Sequence, residues 1–328
     1  MYQVAVFSAK AYDKTSFERN KPEGIQYQYF DCRLNSTSVA MAQGFDAICA
    51  FVNDDLSADV LRQLTTFGVQ AITLRCAGFN NLDLNAAKAN NIRVARVPSY
   101  SPEAVAEHAI ALILTLNRKL HKAYNRTKED NFSLDGLLGF NLHKKTVGII
   151  GTGKIGLATA RILNGFGCRL LAFDLNQTGE FTKLGGKYVE KEALFKQSAI
   201  ISLHCPLNEH TFHMIDQEAL STMQDGVMLV NTSRGGLIDS QCLIQHLKTG
   251  KIGHLALDVY EQESELFFED HSTTIVQDDV FQRLLTFPNV LISGHQGFFT
   301  QEALEQIANT SHSNLMAFSA NKDCDNEL

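Results

Sequence analysis

No stretch of this chain approaches the roughly eighteen consecutive apolar residues that a membrane span requires. The most apolar helical segment, AIALILTL at 109–116, is far too short. The opening residues, MYQVAVFSAK, lack a basic region followed by a long apolar one, so they read as a first β-strand and not as a secretory signal. Basic charge is not in excess either. The formal net charge of −7 argues against non-specific binding to nucleic acid or to an anionic membrane surface, although a small site can still be locally basic. No CxxC pair occurs. The cysteines at 32, 49, 76, 168, 205, 242 and 324 are odd in number and widely spaced, which suits reduced packing thiols in a cytoplasmic protein. Asp258 has no second histidine or carboxylate at ligand spacing, so no metal site is expected. Internal repeats and low-complexity tracts are absent.

What remains is the composition of an ordinary globular protein, 45% hydrophobic and 20% charged, and 328 residues suffice for two domains with a core in each. Over the first hundred residues, apolar runs at 4–9, 27–32, 46–52, 70–74 and 93–97 alternate with helical segments near 57–67 and 81–90. That alternation predicts a doubly wound parallel sheet, and it lacks any glycine-rich phosphate turn. A boundary follows at VPSYSPEAVAEHA, where Ser101, Pro102 and Glu103 suit the N-cap, first position and first turn of a helix. From Ala104 to Leu116 that helix is apolar nearly all round, which predicts burial between domains or against a second subunit. The charged and then loop-like stretch after it suits an arm reaching over a neighbour. A second alternating run begins at Lys145, with strands at 146–150, 169–174, 199–204, 227–231, 254–259 and 289–293. The last helical segment, from Thr300, has no strand of its own and is expected to return to the first domain. The expected fold is α/β, two Rossmann-like doubly wound domains with the active site in the cleft between them. Residues 1–100 with 300–328 form one domain, and residues 101–299 form the other.

The second run opens with a phosphate-binding turn. Val147 to Ile150 lead directly into Gly151-x-Gly153-x-x-Gly156, and a later strand ends on Asp174. One glycine makes the tight turn, the next lets backbone approach a pyrophosphate, and the third packs helix on strand. The helix N-terminus offers unpaired N–H groups to the phosphates. Asp174 would accept from the adenosine ribose hydroxyls and repel a 2′-phosphate, which favours NAD over NADP.

Ligands of open parallel sheets sit beyond the carboxyl ends of the strands. Those ends carry His204-Cys205-Pro206, then Arg234 just past Asn231, then Asp258 with Glu261, Glu263 and Glu265, then Gly294-His295-Gln296-Gly297-Phe298-Phe299. Reducing an α-keto acid needs a guanidinium to fork onto the carboxylate, which Arg234 can be. It needs a proton donor for the oxygen, which His295 can be. It also needs a carboxylate to stabilise the charged imidazole and fix its ring, and position alone leaves three glutamates open. Two rival histidines read differently: His204 as a packing residue behind the site, His108 as a satisfied core histidine.

These residues resemble the NAD-dependent D-2-hydroxyacid dehydrogenases, and within them the fermentative D-lactate dehydrogenase branch. The likeness runs along essentially the whole chain, through LRCAGFNNLDL (74–84), VPSYSPEAVAEHAIAL (97–112), IGTGKIG (150–156), ISLHCPL (201–207), VNTSRGGLIDS (230–240), DVYEQE (258–263), LFFED (266–270) and GHQGF (294–298). It implies NADH-dependent, reversible reduction of pyruvate to D-lactate, with Arg234 on the substrate carboxylate, Glu263 behind the histidine and His295 as acid/base. It implies substrate contacts from Arg75, Tyr100, Phe298 and Phe299, and from the backbone around Cys76, Ala77 and Gly78. Lys154, Ile155, Asp174, His204, Cys205, Pro206, Thr211, Thr232, Ser233 and Asp258 would line NAD with the glycine turn, Arg234 and His295. Thr211 departs from relatives that often carry Asn there. The resemblance further implies a homodimer or homotetramer. Glu263 speaks against the formate-oxidising relatives, which pair their histidine with Gln. Another 2-hydroxy acid as substrate, or a non-catalytic NAD-sensing protein on the same fold, are the competing readings.

Overall fold

The computed structural model describes all 328 residues. The chain begins β1 (Tyr2–Val6), α1 (Ala11–Arg19), β2 (Ile25–Tyr29), β3 (Ala47–Ala50), α2 (Ala58–Thr66), β4 (Ala71–Leu74), α3 (Leu84–Ala89) and β5 (Arg93–Arg96). It continues through α4 (Pro102–Arg118), α5 (Leu120–Lys128), β6 (Thr146–Ile150), α6 (Lys154–Gly165), β7 (Arg169–Phe173), α7 (Gly179–Lys183), β8 (Lys187–Tyr188), α8 (Lys191–Gln197) and β9 (Ile200–Leu203). It ends with α9 (Gln217–Thr222), β10 (Val227–Asn231), α10 (Ser240–Lys248), β11 (Ile252–Leu257), α11 (Asp279–Leu285), β12 (Val290–Ile292) and α12 (Gln301–Ser319). Most helices start where the sequence supplies a short polar side chain. Asp83, Asp216, Asp239, Asp278 and Thr300 each accept a backbone N–H in the first turn of the helix that follows. The chain divides into two compact units, Met1–Ser101 with Phe298–Leu328, and Pro102–Gly297.

The first unit is a five-stranded, all-parallel sheet of order β2-β1-β3-β4-β5. Its central strands AICA and AITL are buried at every position, as a sheet covered on both faces requires. On one face the core gathers Phe7, Ile48, Leu61 and Ile72. On the other it gathers Val4, Val6, Phe17, Leu315 and Phe318, the last two from α12, which packs on α1 and β4. Neither α1 nor α5 is anticipated as a helix by the sequence pattern, because both are too polar to show an apolar stripe. In α1 only Asp13 and Phe17 are buried.

The second unit is also all parallel, of order β12-β11-β10-β9-β6-β7-β8. Six strands were expected and seven are present; β8 is two residues long, too short to show a period. The order runs outward in both directions from the β6–β9 pair, which makes that pair the switch point where a crevice opens beyond the strand ends. The apolar helix α4 is explained here too, and differently from the sequence expectation. Ile110, Leu112, Ile113 and Leu116 pack with Val147, Leu163, Met228 and Ala256 of the same unit. Only Glu103, Glu107, Ala111 and Arg118 form its exposed line. Its own sheet and α6 therefore cover it, and a second subunit is not needed to do so.

In the first unit the corresponding crevice is filled by charge. Arg75, directly after β4, is 2% exposed. Its guanidinium donates to the Ser8 and Cys49 carbonyls at 2.8 and 3.4 Å, pairs with Asp13 at 3.3 Å, and lies 4.7 Å from the Phe51 ring centroid. Asp54 stands beside it, 1% exposed, and accepts from Ser8 Oγ, Leu34 N and Phe51 N. Burial raises the Asp54 carboxyl, and Arg75 and Ser8 oppose that rise. The expectation that Arg75 borders substrate is corrected: the side chain is spent inside the domain. No disulfide joins any of the seven cysteines, and burial pushes Cys49 up to about 12 and both Cys205 and Cys242 up to about 11. Arg75→Met should leave Asp13 and Asp54 buried without their cation and cost about 3–5 kcal/mol. Urea unfolding measures this, and a change below about 1 kcal/mol would show the network to be dispensable.

Candidate active site

At the switch point of the second unit, β6 runs straight into the glycine turn. Gly151 has φ +92°, and a Cβ there would lie 2.6 Å from the Cys205 backbone nitrogen, so both conformation and close packing demand glycine. A Cβ on Gly156 would lie 1.9 Å from the Gly151 carbonyl oxygen, which is how α6 starts so close to the strand. Gly153 is exposed, has nothing within 4 Å of its Cβ direction, and gives α6 no side-chain cap. The first-turn N–H groups of α6, including those of Lys154 and Ile155, therefore face outward without intrahelical partners. Asp174, at the tip of β7, closes the turn from the side. Its Oδ2 accepts from Thr152 N and Oγ1 at 2.5 and 3.0 Å, and its Oδ1 from Asn176 N at 2.8 Å.

The next strand ends supply two unsatisfied polar atoms. Leu203 is in register with Asn231, so His204 and Thr232 emerge side by side from β9 and β10. Neither His204 Nδ1 nor Thr232 Oγ1, both buried, has a partner. His204 Nε2 contacts Ser202 Oγ at 2.8 Å, and burial pushes the ring down to about 4, so it is neutral at physiological pH. Open helix N–H groups, a side-chain-free approach at Gly153 and these two atoms fit a dinucleotide. The other expected cofactor residues divide. Pro206 is exposed and Ser233 half-buried, with Ser233 Oγ bonded to the Cys205 carbonyl at 2.7 Å. Cys205 turns its thiol into the core beside Met214, leaving only backbone for a ligand. Thr211 spends its hydroxyl on its own loop, donating to the Pro206 carbonyl at 2.7 Å and accepting from Asn208 N at 2.8 Å.

Arg234 follows β10 in a turn built by Asn231, whose side chain donates to the Arg234 carbonyl and accepts from Ser233 N. The arginine is half-buried; its one hydrogen bond goes from Nη1 to the Ser233 carbonyl, and no carboxylate pairs with it. Gly235 has to be glycine, because a Cβ would lie 2.0 Å from the Tyr260 carbonyl carbon. The structure also chooses among the three acids. His295 Nδ1 meets Glu263 Oε1 at 2.7 Å, and Glu263 Oε2 accepts the Tyr260 N–H at 2.8 Å. Glu261 is engaged elsewhere, with His213 at 2.5 Å and Ser240 N, and Glu265 is exposed.

His295 itself is held in the left-handed region, φ +53°, which few non-glycine residues adopt. Asp258 enforces it. This residue is 1% exposed, its carbonyl accepts the His295 N–H at 2.7 Å, and its carboxylate accepts from Ser293 Oγ, Gln296 N and Gly297 N at 2.5, 2.9 and 2.8 Å. His108 Nε2 completes the set at 3.1 Å, which gives that core histidine its partner. Burial alone would raise the Asp258 carboxyl, but bonds from His108, Ser293 and Gln296 bring it below the ordinary range. Its carboxylate is thus committed to the loop that carries His295.

The substrate-side residues expected from the sequence lie in the first unit. Cys76, Ala77 and Gly78 form the loop after β4, where Cys76 Sγ contacts the Gly78 carbonyl at 3.2 Å and Ala77 O accepts from Arg96. Tyr100, Phe298 and Phe299 form a cluster, with ring centroids 6.2 Å apart for Tyr100 and Phe298 and 6.0 Å for the two phenylalanines. Phe298 is buried and Phe299 is half exposed. Sequence reasoning missed Phe51 and Tyr12, which complete the cluster at 6.3 and 4.8 Å. Distant in sequence from the other rings, they carried no signal beyond their residue type.

A family model described as the D-isomer specific 2-hydroxyacid dehydrogenase, NAD binding domain, matches residues 110–297. The chain belongs to the D-2-hydroxyacid dehydrogenase family. It is 52% identical over 327 residues to the D-lactate dehydrogenase of Escherichia coli, with 99% of each chain covered. The structure of a pyruvate reductase from Chlamydomonas reinhardtii matches with TM-score 0.94 at 40% identity, over 99% of this chain and 98% of that one. D-lactate dehydrogenase from Aquifex aeolicus, complexed with NAD and lactic acid, matches with TM-score 0.85 at 31% identity, over 97% and 96%. This member of the D-2-hydroxyacid dehydrogenases is an NAD-dependent oxidoreductase. No helix is long and apolar enough to cross a membrane. The two glycines of its turn should separate fold from cofactor binding. Gly153→Ala should change the stability of the apoprotein by no more than about 1 kcal/mol, the weaker N-cap offsetting the stiffer unfolded chain, while weakening NADH binding. Gly156→Ala should cost about 1–3 kcal/mol or more without any cofactor, from backbone overpacking. Thermal unfolding and NADH fluorescence titration check both; equal behaviour of the two variants would contradict the geometry.

Proposed function

We propose that this enzyme reduces pyruvate to D-lactate with NADH, and runs the reverse reaction with NAD. The observation that carries the reading is the contact of 2.7 Å between Glu263 and His295 Nδ1. A carboxylate on Nδ1 fixes the ring and leaves Nε2 as the atom that exchanges a proton. NADH, when bound, supplies the hydride for the keto carbon. His295 Nε2–H delivers the proton to the keto oxygen, so one C–H and one O–H bond form as the carbonyl π bond is lost. Glu263 stabilises the imidazolium that must exist before that transfer. Arg234, with no carboxylate of its own, offers a guanidinium fork to the substrate carboxylate. Tyr100, Phe298 and Phe299 keep the role of apolar wall for a short side chain, with the Cys76–Gly78 backbone as donors. Asp174 selects NAD by accepting ribose hydroxyls and repelling a 2′-phosphate.

A dehydrogenase for another D-2-hydroxy acid is the second reading. A relative from Aspergillus oryzae, 53% identical over 330 residues, bears the broader name 2-hydroxyacid dehydrogenase A. One extra methylene changes discrimination by only ~1–3 kcal/mol, so ranges overlap. A panel of 2-keto acids with product chirality decides between them. A non-catalytic NAD sensor would have no use for an imidazole held this way. The same proposal includes a cytoplasmic setting, suited to cysteines that form no disulfide, and self-association as a dimer or tetramer. Leu120, Tyr124, Phe132, Leu134 and Leu138, all in the arm after α4, are 55–88% exposed and support a contact between copies.

Arg234→Lys should raise the pyruvate KM steeply while NADH affinity holds, because lysine keeps the charge and loses the fork. An unchanged KM would remove the carboxylate from Arg234. Reduction needs imidazolium and oxidation the neutral ring, so reduction should fall as the medium turns alkaline and oxidation should rise. Glu263→Gln withdraws the charge that favours imidazolium, so the alkaline limb of kcat/KM should move to lower pH. A limb that stays put would transfer the role to another acid.

A further inference from the structure

Between β11 and the acid–base pair stands a side chain that the reaction does not use. Tyr260 is 2% exposed, and its surroundings are made on three sides. Its N–H donates to Glu263 Oε2 at 2.8 Å, while the other oxygen of that carboxylate holds His295. Its carbonyl lies flat against Gly235, the residue after Arg234, at a separation no side chain would allow. Its phenol donates to both oxygens of Asp278, at 3.1 and 2.9 Å. Asp278 in turn accepts the Phe281 N–H at 2.8 Å and caps α11, whose Phe281 ring lies 5.1 Å from that of Tyr260.

We infer that Tyr260 is a positioning residue, anchored by Asp278, that fixes the carboxylate-binding arginine and the acid–base histidine against one another. The inference rests on the roles proposed above for Arg234, Glu263 and His295. One residue touches both arms of the site: its N–H orients Glu263, and its carbonyl seats the turn of Arg234. Glu263 is a flexible side chain, and with Oε2 tied down only Oε1 can face His295. The tie is only as firm as the peptide that makes it. That peptide lies in a turn outside the sheet ladder, where the Tyr260 carbonyl also accepts the Glu263 N–H at 3.2 Å, and the phenol–Asp278 bond is its side-chain tie to a capped helix. Glu261, the next residue, adds a second tie through His213 and Ser240 N. Burial and the Asp278 charge keep the phenol well above its ordinary value, so it remains a donor at every working pH.

The test compares wild type, Tyr260→Phe, Asp278→Ser and the double variant. Phenylalanine keeps the ring packing, and serine keeps the cap of α11 but is too short to meet the phenol. Two quantities are read: kcat/KM against pH for the 2-keto acid that wild type reduces best, and the His295 titration by nuclear magnetic resonance of its ring nitrogens. Each single variant should lose about tenfold to a hundredfold in kcat/KM. Its alkaline limb and its His295 midpoint should move to lower pH, in the direction of Glu263→Gln, with NADH affinity unchanged. The double variant should be no worse than either single, since both cut one bond. Where a variant does not fold, Asp278→Asn, which keeps the cap and loses only the charge, should shift the same midpoint in the same direction by less. Variants that lose only thermal stability, with limb and midpoint unmoved, overturn the inference. A wild type that reduces no 2-keto acid would defeat the functional proposal instead, while the His295 titration still decides the role of Tyr260.

Discussion

A carboxylate taken out of water must be surrounded by donors, and Asp258 shows what a chain can build from that requirement. It sits just past the end of β11 at 1% exposure and gathers a hydroxyl, two backbone N–H groups and an imidazole. Three of those four donors, from Ser293, Gln296 and Gly297, flank a single residue. Together with the Asp258 carbonyl they over-determine the backbone of His295 in a region that costs of order 1–3 kcal/mol to occupy. A loop becomes as fixed as a strand, and the proposed acid–base group can be aimed from it. The position of Glu263 has value only because the ring it meets is already set.

The two units show how one topology can carry or refuse a ligand. Each sheet has a switch point, and each could offer a crevice beyond its strand ends. In the second unit the glycine turn keeps side chains out of that space, and strand ends leave His204 Nδ1 and Thr232 Oγ1 unsatisfied within it. In the first unit the buried side chains of Arg75, Asp13 and Asp54 gather at the strand ends, Arg75 pairing with Asp13 and Asp54 bonding to Ser8, Leu34 and Phe51. A binding site here is a matter of what the chain declines to place at a strand end.

Much of this could be read from the sequence. Strands covered on both faces write themselves as apolar runs, so the parallel sheets and the turn at Gly151 were legible. Arg234 and His295 were visible because an isolated cation and a glycine-flanked histidine follow strands. Other features were not legible, for particular reasons. The choice of Glu263 over Glu261 depends on where the Tyr260 N–H and His213 stand, which spacing does not encode. Arg75 was expected at the substrate through the family resemblance alone; its partners, remote in sequence, show a structural ion pair. The apolar α4 suggested a partner subunit because composition cannot tell which neighbour covers a helix. Tyr12 and Phe51 join Tyr100 and Phe298 only through the fold.

The buried sulfur of this protein bears on how it meets oxidants. Peroxides and electrophiles attack thiolates, and thiolate supply falls about tenfold for each unit by which a thiol exceeds the ambient pH. Cys49, Cys205 and Cys242 are held at about 12, 11 and 11, and Cys32, Cys168 and Cys324 are also raised, with burial the first cause throughout. The proposed chemistry employs none of them. Those six thiols are therefore poor thiolate nucleophiles, and an NAD-dependent enzyme meets redox state through the ratio of reduced to oxidised nicotinamide.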